Sequence, residues 1–157
     1  MKKEFESLPY RKNVSIIVFR DKEFLLVNKH EGPRDWWKFP QGGLDEEESL
    51  EDGAKREFVE EIGTDKIEII GISKLVNKYD WDNKDLVNRK KARGQEQYFV
   101  VAKFVGGDSD LKPDNEEIRK VKWFALKDII NFSKKNKKLF DMYNGLIPKI
   151  LKEFNLK

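Results

Sequence analysis

Residues 42–64 constrain the fold of this chain more than any other segment. They read GGLDEEESLEDGAKREFVEEIGT, two glycines followed by a stretch with helical periodicity. Its apolar residues recur at every fourth position: Leu50, Ala54, Phe58 and Ile62. Ser49 together with Asp52 predicts a capping box at the start of the helix, and Gly63 predicts its end. The segment therefore predicts a glycine-rich turn followed by a helix whose apolar face is buried.

Three carboxylates share one face of this predicted helix. Glu60 and Glu61 follow Glu57 by three and four residues, so at ~100° per residue the side chains fall within an arc of roughly 100°. Carboxylates this close repel one another, and a hard divalent cation removes the repulsion. Oxygen ligands of this kind suit Mg²⁺ or Mn²⁺. The alternative is a solvated acidic helix face, since 39% of the residues are charged.

Composition limits the class of protein. A length of 157 residues predicts a single domain, residues 1–157, with a sizeable core. The chain contains no cysteine, which excludes disulfides and thiolate catalysis and fits a reducing compartment. It begins without an apolar leader and has no run of about 18 apolar residues, so we expect neither secretion nor membrane insertion. We therefore expect a cytoplasmic protein.

The rest of the chain predicts alternating strands and helices. We predict extended segments at residues 14–19, 23–27, 36–40, 66–75, 97–104 and 120–124. A helical turn is predicted at 128–132, and a basic amphipathic helix at 133–154, interrupted near Gly145 and Pro148. Residues 77–94 lack clear periodicity and are predicted to form the longest loop. This pattern predicts an α/β domain.

The spacing of residues within 42–64 resembles the signature of the Nudix hydrolases, which cleave a nucleoside diphosphate linked to another moiety. The matching positions are Gly42, Glu48, Arg56, Glu57, Phe58, Glu60, Glu61 and Gly63. So many fixed residue types at fixed offsets rarely coincide by chance. One position departs from the pattern, because Thr64 stands where the family has an aliphatic residue. The resemblance implies a Nudix-type α/β/α sandwich with a mixed β-sheet around the loop–helix unit.

Three further segments resemble one branch of the family. They are YRKNV at 10–14, WKFPQGG at 37–43 and GQEQYF at 94–99. That branch contains the asymmetric dinucleoside tetraphosphate hydrolases and the bacterial RNA 5′-pyrophosphohydrolases. The resemblance implies cleavage of a pyrophosphate bond by metal-activated water in diadenosine tetraphosphate-type nucleotides or at 5′-triphosphorylated RNA ends. Lys12 and Ser15 stand where the branch often has proline and glycine.

Two alternatives stay open at this point. One is a hydrolase of another nucleoside diphosphate-linked substrate, which the YRKNV and FPQGG segments disfavour. The other is a non-catalytic Nudix module that binds nucleotide or RNA. The intact glutamates of the signature disfavour this second alternative, since inactive members usually lack them.

The resemblance also assigns roles residue by residue. It implies metal ligands and a general base among Glu57, Glu60, Glu61, Glu117 and the backbone carbonyl of Gln41. The distal position could be shifted by one, to Glu116. It implies substrate contacts from Arg11, Lys38, Gly42, Gly43 and Tyr79. Glu48 and Arg56 are expected to hold the loop against the helix, and the implied cofactor is Mg²⁺, with Mn²⁺ as a possible substitute.

Two basic runs could extend the contact with RNA. The first run precedes the GQEQYF segment and contains Lys84, Arg89, Lys90, Lys91 and Arg93. The second contains Lys134, Lys135, Lys137 and Lys138. A solvated surface is the commoner explanation of such runs. The position of the first run next to a segment of the predicted site favours RNA contact.

Overall fold

One mixed sheet organises the molecule. The computed structural model describes residues 6–31, 34, 36–135 and 141–156, and within them the sheet has six strands. The strands are β1 (Tyr10–Arg20), β2 (Glu23–Lys29), β3 (Gln41–Gly43), β4 (Ile67–Asp80), β5 (Gly94–Phe104) and β6 (Ile118–Ala125). The helices are α1 (Leu50–Ile62), α2 (Lys84–Lys90), α3 (Leu126–Ser133) and α4 (Ile147–Glu153). The strand order is β4-β5-β1-β2-β6, with β3 paired to β1.

The sheet splits along β1, and this split positions the glycine segment. At its end β1 pairs with β2 through Phe19 and Arg20, whereas residues 13–15 pair with β3. The Ile16 N–H also donates to the Pro40 carbonyl at 2.8 Å. The turn predicted at the two glycines that open residues 42–64 is therefore wrong, because Gly42 and Gly43 form a short strand with Gln41. Pairing with β1 satisfies backbone groups that a buried turn would leave without partners.

Apolar layers cover both faces of the sheet. On one face α1 packs through Ala54, Phe58 and Ile62, all fully buried. On the other face α3 and α4 pack through buried aliphatic residues, among them Ile129 and Ile150. Helices therefore lie on both sides of the sheet, and the predicted α/β/α sandwich is confirmed. No helix in the described ranges has the length and apolar character needed to cross a membrane.

Both ends of α1 follow the local sequence. The Ser49 hydroxyl accepts a hydrogen bond from the Asp52 N–H at 3.1 Å, which caps the first turn. Gly63 adopts a φ of 83°, and its N–H donates to the Val59 carbonyl at 2.9 Å. A Cβ at Gly63 would lie 2.2 Å from the Lys112 carbonyl oxygen, so glycine is also required by space. The predicted helix and its predicted end are confirmed.

The long loop predicted at residues 77–94 is wrong. Strand β4 continues through Asp80, α2 follows, and β5 begins at Gly94. Helix α2 escaped prediction because it is short and buries only Val87, which leaves no helical periodicity to detect. Its one sequence signal is Asn83, whose side chain caps the N–H groups of Asp85 and Leu86 at 2.9 and 3.2 Å.

The C-terminal helical stretch is divided where the sequence predicted an interruption. A π-helical turn covers Asp141–Leu146, and α4 follows with Pro148 in its first turn. Proline is tolerated there because the first N–H groups of a helix have no internal acceptor. Lys137 and Lys138 lie outside the described residues.

Candidate active site

Two carboxylates of α1 lie directly against β3. The Gln41 N–H donates to Glu61 Oε1 at 3.2 Å. Beside it, a Cβ at Gly42 would lie 2.0 Å from the carboxyl carbon of Glu57, so no larger residue fits there while Glu57 keeps this position. The side chains of Glu57 and Glu61 are only 12% and 3% exposed. Helix and strand thus bring a buried acid, Glu61, and a partly buried one, Glu57, to one backbone segment.

Burial sets the protonation of these acids. Desolvation raises the pKa of Glu57 above its ordinary value, against the opposing hydrogen bond from Arg56. Desolvation likewise raises the pKa of Glu61, against the opposing charge of Lys29, whose Nζ lies 3.1 Å from Glu61 Oε2. A nearby cation therefore lowers the free energy of the ionised form of each group. Glu60 differs, with 56% of its side chain exposed.

The distal glutamate is close enough to Glu61 to act on its charge. Glu117 precedes β6, and its carbonyl oxygen accepts a hydrogen bond from the His30 N–H at 3.0 Å. Its negative charge contributes to the raised pKa of Glu61. That interaction supports Glu117 over Glu116 as the distal acid of the site.

Arg56 holds the loop that leads into α1. Its Nε and Nη2 each donate to the carboxylate of Glu48 at 2.8 Å, and Nη2 also donates to the Gly43 carbonyl at 2.9 Å. Hydrogen bonds from Arg56, with one from the Asp45 N–H, lower the pKa of Glu48 to about 2. The bridge expected between Arg56 and Glu48 is present. It fixes β3 and the start of α1 relative to each other.

The two basic residues predicted to meet phosphate occupy different surroundings. Arg11 packs on Gly43, where a Cβ would lie 2.4 Å from Arg11 Nη2. Lys38 Nζ lies 5.1 Å from the centre of the Trp36 ring, and burial lowers the pKa of Lys38, with a further contribution from Lys29. A cavity of about 20 Å³, roughly the size of one water, is enclosed by Val27, Lys29, Glu31, Trp36 and Lys38.

A polar row crosses the sheet next to Arg11. Gln97 Nε2 donates to Asn13 Oδ1 and to Gln41 Oε1, each at 2.8 Å. Two register positions further along, Gln95 Nε2 donates to the hydroxyl of Tyr79 at 2.6 Å. Tyr79 therefore lies in β4 and not in the predicted loop. The row thus extends from Tyr79, one of the predicted substrate residues, to Gln41 in β3, which Glu61 contacts.

Sequence reasoning missed three residues of this arrangement: Asn13, Lys29 and Gln97. Asn13 lies in the YRKNV segment and Gln97 in the GQEQYF segment. The available signal was that each alternates with another polar residue, Arg11 and Gln95 respectively. Lys29 gave no signal, because its partner Glu61 is 32 positions away and only the fold brings them together.

The side chains present determine whether a metal ion fits this site. Within the described ranges, no three His, Cys, Asp or Glu side chains are grouped so that they could hold a metal ion. Glu61 does contact Gln41, Glu57 lies against the neighbouring Gly42, and the Lys29 ammonium shows that a cation is accommodated beside Glu61. Carboxylate and carbonyl oxygens are the donors that hard divalent cations prefer. This donor set fits such a cation.

Comparison with known proteins identifies the family. A family model described as a NUDIX domain matches residues 9–144. The chain belongs to the Nudix family. In Nudix terms, α1 with its preceding loop is the signature unit, and the matched residues run from just before β1 into the π-helical turn.

Relatives and solved structures agree with this membership. The chain is 35% identical over 119 residues to an RNA pyrophosphohydrolase of Caulobacter vibrioides, covering 73% of this chain and 69% of that protein. It is 34% identical over 151 residues to an RNA pyrophosphohydrolase of Gluconobacter oxydans, covering 92% and 87%. An Ap4A hydrolase of C. elegans, solved as a binary complex, has the same fold, with a TM-score of 0.62 at 20% identity over 88% of this chain and 98% of that one.

Proposed function

We propose that this Nudix protein is a divalent-metal-dependent pyrophosphohydrolase that acts on 5′-triphosphorylated RNA ends in the cytoplasm. Residues 1–157 form its single domain in this proposal. The observation that carries the proposal is the contact of Glu57 and Glu61 with β3 within a Nudix signature. Extensive similarity to two RNA pyrophosphohydrolases favours RNA as the substrate. Retention of the buried carboxylates argues against a module that only binds.

The proposed metal site consists of Glu57, Glu61 and the carbonyl of Gln41, and Mg²⁺ is the proposed ion, with Mn²⁺ as a substitute. Such an ion neutralises polyphosphate charge and makes water more acidic. Glu60, exposed on the same helix, and Glu117, beside Glu61, are the two candidates for the base that takes a proton from the attacking water. Nucleophilic attack at phosphorus then needs no covalent enzyme intermediate.

The remaining residues hold the substrate in this proposal. The guanidinium of Arg11 and the ammonium of Lys38 neutralise phosphate oxygens next to the glycines of β3. Gly42 and Gly43 let the polyphosphate approach the backbone because they carry no side chain. Tyr79, with 37% of its surface exposed, offers a ring face for a nucleobase.

A second candidate function is asymmetric cleavage of dinucleoside polyphosphates. The YRKNV, FPQGG and GQEQYF segments favour it as much as they favour RNA. Tyr79 and the polar row could bind one nucleoside of such a substrate without any further surface.

One comparison tests both functions. The protein is incubated with Mg²⁺ and either triphosphate-ended RNA or diadenosine tetraphosphate, and the products are identified by mass. We expect pyrophosphate or phosphate with a 5′-monophosphate RNA, and ATP with AMP from the dinucleotide if the second candidate holds. Water labelled with ¹⁸O should place its oxygen on a phosphate-containing product. Turnover of neither substrate, with the parent folded, would overturn the proposal, and two ADP molecules would contradict the branch.

A further inference from the structure

Lys29 forms an ion pair with Glu61, the most buried acid of the site. It is the last residue of β2, and a register shift between Asn28 and Lys29 in the pairing with β6 redirects the strand at this point. Its Nζ lies 3.1 Å from Glu61 Oε2, and its side chain is 28% exposed. Its charge also acts on Glu57 and on Lys38. One ammonium therefore acts on both acids and on a predicted phosphate contact.

The backbone on either side of Lys29 is fixed by side-chain hydrogen bonds. Asn28 Nδ2 donates to the carbonyl oxygens of Arg34 and Trp36 at 2.9 and 2.8 Å. Arg119 donates to Asn28 Oδ1 at 2.7 Å and to the His30 carbonyl at 3.2 Å. The backbone that carries the Lys29 side chain is therefore fixed by the fold. A lysine on a mobile, exposed segment would be free to turn away from its partner.

A buried carboxylate as enclosed as Glu61 requires a counter-charge. Leaving an ionised group buried and unpaired is costly, and Lys29 provides the compensating charge. A divalent cation at the same oxygen would lie within a few ångströms of the ammonium. Like charges at such a separation repel, so either cation weakens the binding of the other at Glu61.

We propose that Lys29 is a tethered counter-ion that competes with the divalent cation for Glu61. It keeps Glu61 ionised and in place before the metal binds, and metal binding displaces it. The released ammonium, which lies beside the predicted phosphate contact Lys38, then binds a phosphate of the substrate. The proposal rests on Glu61 being a metal ligand, but it is independent of which nucleotide is hydrolysed.

Calorimetric titration with Mg²⁺, in mildly alkaline buffer and without substrate, tests the competition. Lys29→Met should bind Mg²⁺ about tenfold more tightly than the parent because the competing charge is gone. Lys29→Arg keeps the charge and should bind Mg²⁺ like the parent. Lys66→Met, which removes a lysine from an ion pair 3.0 Å long with Asp110 away from the site, should also match the parent. Unchanged or weaker binding by a folded Lys29→Met would overturn the competition.

Binding of inorganic pyrophosphate at saturating Mg²⁺ tests the second half. Lys29→Met should bind pyrophosphate several-fold more weakly, and Lys29→Arg should restore most of the affinity. Opposite changes in metal and phosphate affinity would not follow from a purely structural role. Equal pyrophosphate affinity in parent and Lys29→Met would overturn phosphate contact. A Glu61→Gln variant that still binds Mg²⁺ with parental affinity would instead contradict the proposed metal site.

Discussion

At the scale of single residues, the site contains carboxylates whose ionised form is disfavoured by desolvation. The side chain of Glu57 is 12% exposed, whereas that of Glu60 on the same helix is 56% exposed. Burial raises the pKa of Glu57 even though Arg56 donates to it at 3.0 Å. The ionised form of Glu57 is therefore less stable in the folded protein than in the unfolded chain. Binding of a cation is a physical reason for a glutamate to be kept at this position.

Glu57→Gln should separate activity from stability. Turnover should fall by about 10²-fold or more, because a metal ligand is lost. At neutral pH and without metal, the melting temperature should rise, because the amide removes a charge that desolvation disfavours. A raised folded-state pKa lowers the parent's stability as pH rises above the ordinary value of 4.5 through the raised one, so the gain should vanish below that range.

Glu60→Gln is the matched control for stability. It removes the same charge from an exposed position on the same helix, so the melting temperature should stay within about 1 °C of the parent. Thermal unfolding by circular dichroism and hydrolysis in Mg²⁺ provide both readouts. A Glu57→Gln variant with near-parental turnover would remove Glu57 from the proposed ligands.

At the scale of elements, β3 and α1 act as one unit. Gly42 faces the Glu57 carboxylate, and Arg56 connects Glu48 with the Gly43 carbonyl. The contacts of Gly42 with Glu57 and of Gly43 with Arg56 join residues on opposite sides of the loop at 44–49, and Glu48 lies within that loop. The loop is consequently held by its two ends, and the position of the carboxylates depends on the absence of a side chain at Gly42.

Gly42→Ala should reduce turnover by at least about tenfold while the protein stays folded. The added Cβ would overlap the Glu57 carboxyl carbon, at 2.0 Å, and the carboxylate must move to relieve the contact. Gly145→Ala is the matched control, because a Cβ at Gly145 meets no atom within 4 Å. It should leave turnover unchanged. Parental activity in Gly42→Ala would mean that the position of Glu57 seen here is not the active one.

At the scale of the whole molecule, α2 presents a basic surface at one end of the sheet. It joins Asp80 to Gly94, which pair with each other, and Gly94 also pairs with Tyr10 at the start of β1. We define the α2 patch as the exposed cations Lys84, Arg89, Lys90 and Lys91. Arg93 does not belong to it, because its guanidinium bonds Asp80 at 3.0 Å. The patch continues the polar row that begins at Gln41 and ends at Tyr79.

Replacing Arg89, Lys90 and Lys91 with alanine should weaken RNA binding and slow RNA-end hydrolysis several-fold. Each lost phosphate contact should reduce the salt dependence of binding by a slope of ~0.7. Hydrolysis of diadenosine tetraphosphate should change much less, because a small substrate does not extend over the patch. The control replaces Lys22, Lys103 and Lys127, exposed cations at the opposite end of the sheet. Equal slowing of both substrates would exclude the α2 patch as an RNA surface.

Local rules account for what the sequence predicted correctly. The limits of α1 follow from Ser49, from Gly63 and from a four-residue apolar repeat, all of which act over one turn. Strand β3 and the pairing of Lys29 with Glu61 depend on contacts between distant segments, which neither periodicity nor propensity contains. Helix α2 was missed because a single buried residue, Val87, gives no pattern. The roles of the site residues came from family resemblance and not from local rules.

The split of the sheet along β1 has a consequence for motion. β3 contributes only three residues to the sheet, whereas β1 and β5 share a long parallel ladder. Short ladders open at low free energy without global unfolding. The amide hydrogens of Gln41 and Gly42 should therefore exchange with solvent deuterium faster than those of Ile17 and Val18, and a divalent cation should slow them selectively. Strand β3, which is expected to contribute to the metal site, would then also be the part of the sheet that opens most readily.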